Sequence, residues 1–282
     1  MRMTLESWTR MPGWEAAVRW HLSRPFRALA GTRVLPRGRG FFSRLAIGIG
    51  QKTIQPGSAI YVQTPGNGSV EFGASTLIGR NVWTMGTFEQ SELIAAFRLA
   101  APGTYAFDVG ANVGLFTVVM SRAVGPTGRV VAVEPVADTV GELRKNLERN
   151  HCINVDVVEG AAAASTGEVQ LILTDDPALH SAGGEVIAGH PAIQTTTVKA
   201  YSLDELWSAA GQPRVSLIKI DVEGGEQEVL LGAAQMIRRC QPALIIEVND
   251  PNHVRRVAES LHGYRAEPGR GFEPRNHLMV PE

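Results

Sequence analysis

From Gly103 onward the chain alternates between two periodicities, and this restricts its fold more than any other feature. "TYAFDVG", "GRVVAVEP", "NVDVVEGAA", "VSLIKIDVEG" and "PALIIEVND" are short, near-continuous apolar runs. Strands of that kind suit a sheet buried on both faces. Helical periods separate them. "LFTVVMSRAV" reads as a helix, "DTVGELRKNLERN" places Val140, Leu143 and Leu147 on one face, and "GEQEVLLGAAQMIRRC" carries Val229, Ala233, Met236, Ile237 and Cys240 on one stripe. The expected architecture is α/β, a doubly wound and mostly parallel sheet. Between the third and fourth strands lies an insertion, 164–214, whose "EVQLIL" and "TTTVKAYS" are expected to pair as an edge hairpin. Its His- and Gly-rich middle reads as a loop, and long loops in compact domains are often functional. "HGYRAEP" and "NHLMVPE" should complete the sheet edge.

The preceding residues are built differently. "AIYVQT", "SVEF" and "NVWTM" read as strands separated by turns, and "FEQSELIAAFRLAAPG" as a helix stopped by Pro102-Gly103. Residues 1–52 hold ten Lys or Arg against Glu6 and Glu15, a balance of +8 in a chain whose net charge is -1. Trp14, Ala17, Val18 and Leu22 have helical spacing there, so this segment is a candidate for weak contact with a membrane surface or a partner. Three regions result: a basic, partly helical extension (1–52), a small β element with a connecting helix (53–102) and the main domain (103–282). With 44% hydrophobic and 20% charged residues the composition is globular. Two cysteines, Cys152 and Cys240, have no metal-ligand spacing and suit reduced core thiols. No apolar run approaches the roughly 18 residues of a membrane span. A cytoplasmic protein is expected.

In an open parallel sheet, ligands sit outside the carboxyl ends of the strands, and the turn after the first strand is the usual place. That turn reads Asp108-Val109-Gly110-Ala111-Asn112-Val113-Gly114. A dinucleotide would call for G-x-G-x-x-G, which lets the backbone approach a pyrophosphate. Here Asn112 replaces the second glycine, and Asp108 adds a carboxylate. Two like charges about 4 Å apart cost about 4 kcal/mol at an effective dielectric of 20. The loop therefore disfavours a pyrophosphate and favours a cationic ligand without phosphate, such as S-adenosylmethionine. Glu134, at the end of the second strand, is placed to accept hydrogen bonds from ribose hydroxyls.

"FDVGANVGLFT", "GRVVAVEP", "LRKNLERN", "LIKIDVEGGEQEVLLGA" and "PALIIEV" together resemble the successive motifs of the FkbM-type family of S-adenosylmethionine-dependent methyltransferases. The likeness covers about residues 87 to 250. It implies a class I, Rossmann-like methyltransferase fold and methylation of a hydroxyl on a sugar, glycolipid or polyketide-like molecule. It also implies that Asp108, Gly110, Asn112, Gly114 and Glu134 fall on cofactor positions. Val136 stands where many relatives carry a polar residue, and Gly225 extends the usual "EGAE".

Methyl transfer to a hydroxyl needs alignment first and a proton acceptor second. Lys219, Asp221 and Glu223 fall on one face if the fourth strand persists through them. Asp221 is then the candidate pointing at the methyl or the acceptor, with Glu223 orienting it; an ion pair with Lys219 that merely fixes the strand end is the competing explanation. His180 and His190 are further base candidates, and Glu247 is a candidate for lining the acceptor pocket. A divalent cation held by Asp221, Glu247, Asn249 and Asp250 is a rival use of these carboxylates; Lys219 beside them argues against it, and no metal is assigned. Nucleic acid is not expected, because the overall charge is slightly negative. An NAD-type oxidoreductase and a non-catalytic binding scaffold are the alternative functions.

Overall fold

A computed structural model describes residues 58–74, 76, 78–79, 81–82, 88–174, 181–182, 193–248, 261, 263–267 and 271–282. The basic segment 1–52, His180, His190, Asn249 and Asp250 lie outside the described residues. Strands β1 (Ala59–Thr64) and β2 (Gly68–Gly73) form an antiparallel hairpin, and α1 (Gln90–Leu99) follows. The main domain then runs through β3 (Tyr105–Val109), α2 (Leu115–Val124), β4 (Arg129–Glu134), α3 (Ala137–Arg149), β5 (Val155–Glu159) and β6 (Ala161–Ala162). It continues with β7 (Gly167–Leu173), β8 (Ser181–Ala182), β9 (Gln194–Tyr201), α4 (Leu203–Ala209), β10 (Val215–Ile220), α5 (Glu226–Gly232) and α6 (Ala234–Cys240). Strands β11 (Ala243–Glu247), β12 (Tyr264–Glu267) and β13 (Asn276–Pro281) close it.

Seven strands form one sheet in the order β12-β13-β11-β10-β3-β4-β5. The five apolar runs supply its parallel part, and β13 lies antiparallel to both β11 and β12. This is the doubly wound class I arrangement. The strand order reverses between β3 and β10, so the crevice above their carboxyl ends is the topological switch point where such sheets bind ligands.

Alternation along the strands divides the interior in two. Ala106, Leu217 and Ile245 face one core with Val118, Val119 and Met120 of α2. Phe107, Val109, Ile218 and Ile220 face the other, with Leu203 and Trp207 of α4 and Met236 of α6. The hairpin shares the first core through Val62, Val70 and Phe72. Two asparagines one turn apart, Asn146 on α3 and Asn150 at its C-cap, hold it there. The Glu71 N–H donates to Asn146 Oδ1 and Asn146 Nδ2 donates back to the Glu71 carbonyl, while Asn150 makes the same pair of bonds with Ser69. Asn146 Nδ2 also donates to the Val113 carbonyl, which ties the hairpin to the loop after β3.

Four expectations need correction. Asn81 and Val82 of "NVWTM" are helical rather than extended; Val82, 1% exposed, is buried by that turn, and burial outranks β propensity. The stripe from Val229 to Cys240 is carried by two helices, because the chain leaves helical geometry at Ala233, φ -111° and ψ 4°. There Gly232 is pressed against the Ala163 carbonyl, 2.1 Å from where a Cβ would stand. The β7 and β9 segments do pair antiparallel, but in a separate four-stranded sheet, β6-β9-β7-β8, and not on the edge of the main one. The fourth strand of the main sheet ends at Ile220, before Asp221. Cys152 and Cys240 are both free. Among the described residues no helix is long and apolar enough to cross a membrane.

Candidate active site

The loop after β3 is shaped by its contact with the end of β10. The Asp221 N–H donates to the Val109 carbonyl, so the two strands stay joined one residue beyond β10. Gly110 has φ 75°, and a Cβ there would lie 1.8 Å from the Asp221 carbonyl oxygen. Only glycine meets both requirements. Asn112 follows with φ 50°, a left-handed conformation that asparagine tolerates, and its Oδ1 accepts from the Val113 N–H. Gly114 (φ 94°) begins α2, where a Cβ would meet Leu143 Cδ1 at 2.5 Å.

Above this loop is a cavity of about 290 Å³. Gly110 and Asn112 form one side, Glu134 and Pro135 the next, residues 160–165 a small apolar shelf, and β7 with the 221–228 turn the remainder. Its charged lining residues are Glu134, Glu168, Asp221, Glu223 and Glu228, with no lysine or arginine among the described residues. The wall is anionic. Glu134 is held from below: Asn112 N–H donates to its Oε2 at 2.9 Å and Val136 N–H to its Oε1 at 3.1 Å. Each oxygen keeps a lone pair for a ligand hydroxyl. Burial pushes this carboxyl up to about 7.

Asp108, Gly114, Asp221 and Glu223 are placed differently from their sequence-based expectation. Asp108 is fully buried and lies one layer below the cavity instead of on its wall. As the alternate of Ala106 it points under α2, where Oδ2 accepts from Thr117 Oγ1 and Oδ1 has no partner. Burial raises its pKa, and Lys219, its neighbour in register on β10, opposes that rise. Gly114 serves the start of α2 and also does not reach the wall. Asp221 and Glu223 do line the cavity, but as part of a turn in which Glu223 has φ 51°, so strand alternation does not align them with Lys219.

Lys219 is nevertheless central. It is 5% exposed, donates to Asp221 Oδ2 at 2.8 Å and to the Gly110 carbonyl at 3.4 Å, and lies 5.0 Å from the centroid of the Phe116 ring. Burial by itself would lower its pKa, but Asp221, Asp108 and Glu89 raise it above the ordinary lysine value. It therefore stays charged. The expected ion pair with Asp221 is present, and it links the loop after β3 to the end of β10.

On the far side of Asp221 the carboxylates gather. Asp221, Glu223 and Glu247 each bring an oxygen within 4.8 Å of the others. Arg275 pairs with Glu247 at 3.2 Å, as Lys219 pairs with Asp221, so side-chain cations already engage two of the three. Burial and the charge of Asp221 push Glu247 up to about 9. Glu89, which the sequence reading did not select, joins them: burial first, then Asp221, pushes it up to about 7. An acid at a helix start reads as a dipole partner, and no sequence signal separated Glu89 from that role.

In sequence the chain is similar to known methyltransferases. The methyltransferase FkbM domain model matches residues 108–266, more than half of the chain. The hexuronic acid methyltransferase AglP of Haloferax volcanii is 28% identical over 154 residues, covering 54% of this chain and 59% of that protein. The methyltransferase sdnD of Sordaria araneosa is 24% identical over 181 residues, covering 55% and 70%. A solved structure, methyltransferase FkbM from Methylobacillus flagellatus, is 16% identical with a TM-score of 0.43, covering 71% of this chain and 52% of its own. The match thus spans little more than half the length of AglP. By the extent of its match to the family model, the chain belongs to the methyltransferase FkbM domain family.

Proposed function

We propose that this chain is an S-adenosylmethionine-dependent O-methyltransferase whose acceptor is a hydroxyl of a sugar, glycolipid or polyketide-like molecule. The observation that carries this reading is the cavity wall at the switch point: its charged lining residues are five carboxylates, with no cation among the described residues that line it. A pyrophosphate there would meet like charge, whereas a sulfonium and an ammonium would meet opposite charge. The residues fit S-adenosylmethionine: Glu134 would take the ribose hydroxyls, Ala161 to Ala164 offer a small apolar surface for the base, and Asp221 stands toward the methyl. Bound there, the cofactor supplies an already activated methyl group.

The protein's own task is then alignment. Lys219 holds Asp221 against the Gly110 loop, so both sides of the methyl path are positioned by one buried cation. A sugar-type acceptor accords with a relative named for acting on a hexuronic acid, a sugar that carries both hydroxyls and a carboxylate. The test is incubation of purified protein with methyl-labelled S-adenosylmethionine and simple glycosides. Label on oxygen, lost in Asp221→Ala, is the expected result. Binding of NAD with none of S-adenosylmethionine would overturn the reading.

A further inference from the structure

We propose that Glu89, at the start of α1 and outside the stretch matched by the family model, is the catalytic base that takes the acceptor's hydroxyl proton. The inference rests on the proposed methyltransferase reading. Three observations place Glu89 at the acceptor. First, α1 is fixed over the ends of β11 and β13: Glu92, 1% exposed, accepts from the Glu273 N–H and from Asn276 Nδ2. Asn276 stands opposite Glu247 in the sheet and donates a second bond to Glu89 Oε1 at 3.2 Å. Second, Glu89 occupies the N-cap of α1 yet makes no side-chain capping bond and has φ 46°. A left-handed glutamate that forgoes the cap turns its carboxylate toward the sheet, and such strain collects at functional positions.

Third, two neighbouring carboxylates are already engaged by cations, Asp221 by Lys219 and Glu247 by Arg275. Asp221 borders the cofactor cavity, but its Oδ2 is bonded to Lys219. Glu89 feels Asp221 and Lys219 from β10, Asn276 from β13 and Glu92 from its own helix, and it in turn acts on Glu247 of β11. Glu89 is thus coupled to Asp221 and Glu247 at the strand ends, and of these three only Asp221 lines the cavity. An acceptor hydroxyl between Asp221 and Glu89 would have a methyl donor on one side and Glu89 on the other. In the step, the acceptor oxygen forms a bond to the methyl carbon, the sulfur–methyl bond breaks to leave a neutral thioether, and the hydroxyl proton passes to the Glu89 carboxylate and then to water.

The test uses the full chain and Glu89→Gln, whose amide oxygen still accepts from Asn276. Glutamate labelled with ¹³C at the carboxyl gives a titration of Glu89 assigned by the variant. The expected result is a midpoint near 7, with S-adenosylhomocysteine affinity unchanged in Glu89→Gln. Transfer to the probe methyl β-glucoside falls by about a hundred- to ten-thousand-fold and loses its rise with pH through the same midpoint. A Glu89 midpoint below about 5, or transfer within threefold of wild type in Glu89→Gln, would overturn the assignment while leaving the methyltransferase reading in place. Failure of the wild-type chain to bind S-adenosylhomocysteine would overturn both.

Discussion

Replacing Gly110 by alanine probes the junction on which the site is built. The substitution meets two separate obstacles. The backbone at φ 75° is left-handed, and an L-residue held there costs about 1–2 kcal/mol. The new Cβ would also lie 1.8 Å from the Asp221 carbonyl oxygen, a backbone atom that cannot swing aside. Relieving that overlap means parting the β3 loop from β10 and losing the bond from Asp221 N–H to the Val109 carbonyl, a further loss of about 0.5–1.5 kcal/mol. The sum is about 1.5–3.5 kcal/mol, or roughly a 12- to 320-fold shift in the folding equilibrium. Gly211→Ala is the control, because Gly211, just past the end of α4, has φ 85° with nothing within 4 Å of its Cβ position. It should carry the strain alone. Urea unfolding of both variants reads the difference directly. If Gly110→Ala unfolds within about 0.5 kcal/mol of Gly211→Ala, the close approach is not a constraint and the account of the switch point is wrong.

Other expectations follow from particular contacts. Asn146→Ala removes the paired bonds to Glu71 and the bond to the Val113 carbonyl; it should cost about 2–3 kcal/mol in urea unfolding and loosen cofactor binding through the loop. Asp204, on α4, accepts from the Gln235 and Met236 N–H groups at the start of α6, so Asp204→Ala should lose about 1 kcal/mol of stability in the same assay. Glu134 is raised by burial from 4.5 to about 7. Between those values the folded chain holds a proton that the unfolded chain has released, so stability falls as pH rises across the window. Glu134→Gln should therefore flatten the pH dependence of unfolding between 4.5 and 7 by up to about 1.4 kcal/mol per pH unit.

Much of the sheet was legible because its strands are buried on both faces, which leaves a continuous apolar run such as "GRVVAVEP" and little ambiguity. Features set by contacts distant in sequence were not legible. Ala233 interrupts an apolar stripe without interrupting its period, so one helix was expected where there are two. The end of β10 was misplaced because Lys219, Asp221 and Glu223 alternate like a strand, whereas left-handed Glu223 belongs to the following turn. In the site, the preference for carboxylates was readable but their depth was not. Asp108 follows strand alternation under α2, and the anionic wall is made by Glu134, Glu168, Asp221, Glu223 and Glu228. Glu89 depends on Asn276, 187 residues away, and nothing local marks it.

The most direct test of the central claim is calorimetric binding of S-adenosylhomocysteine and of NAD to the wild-type chain and to Glu134→Ala. The anionic wall predicts binding of S-adenosylhomocysteine by wild type, affinity weakened by about tenfold or more when the Glu134 hydrogen bonds are lost, and no binding of NAD. Binding of NAD in place of S-adenosylhomocysteine, or equal affinity in Glu134→Ala, would contradict it.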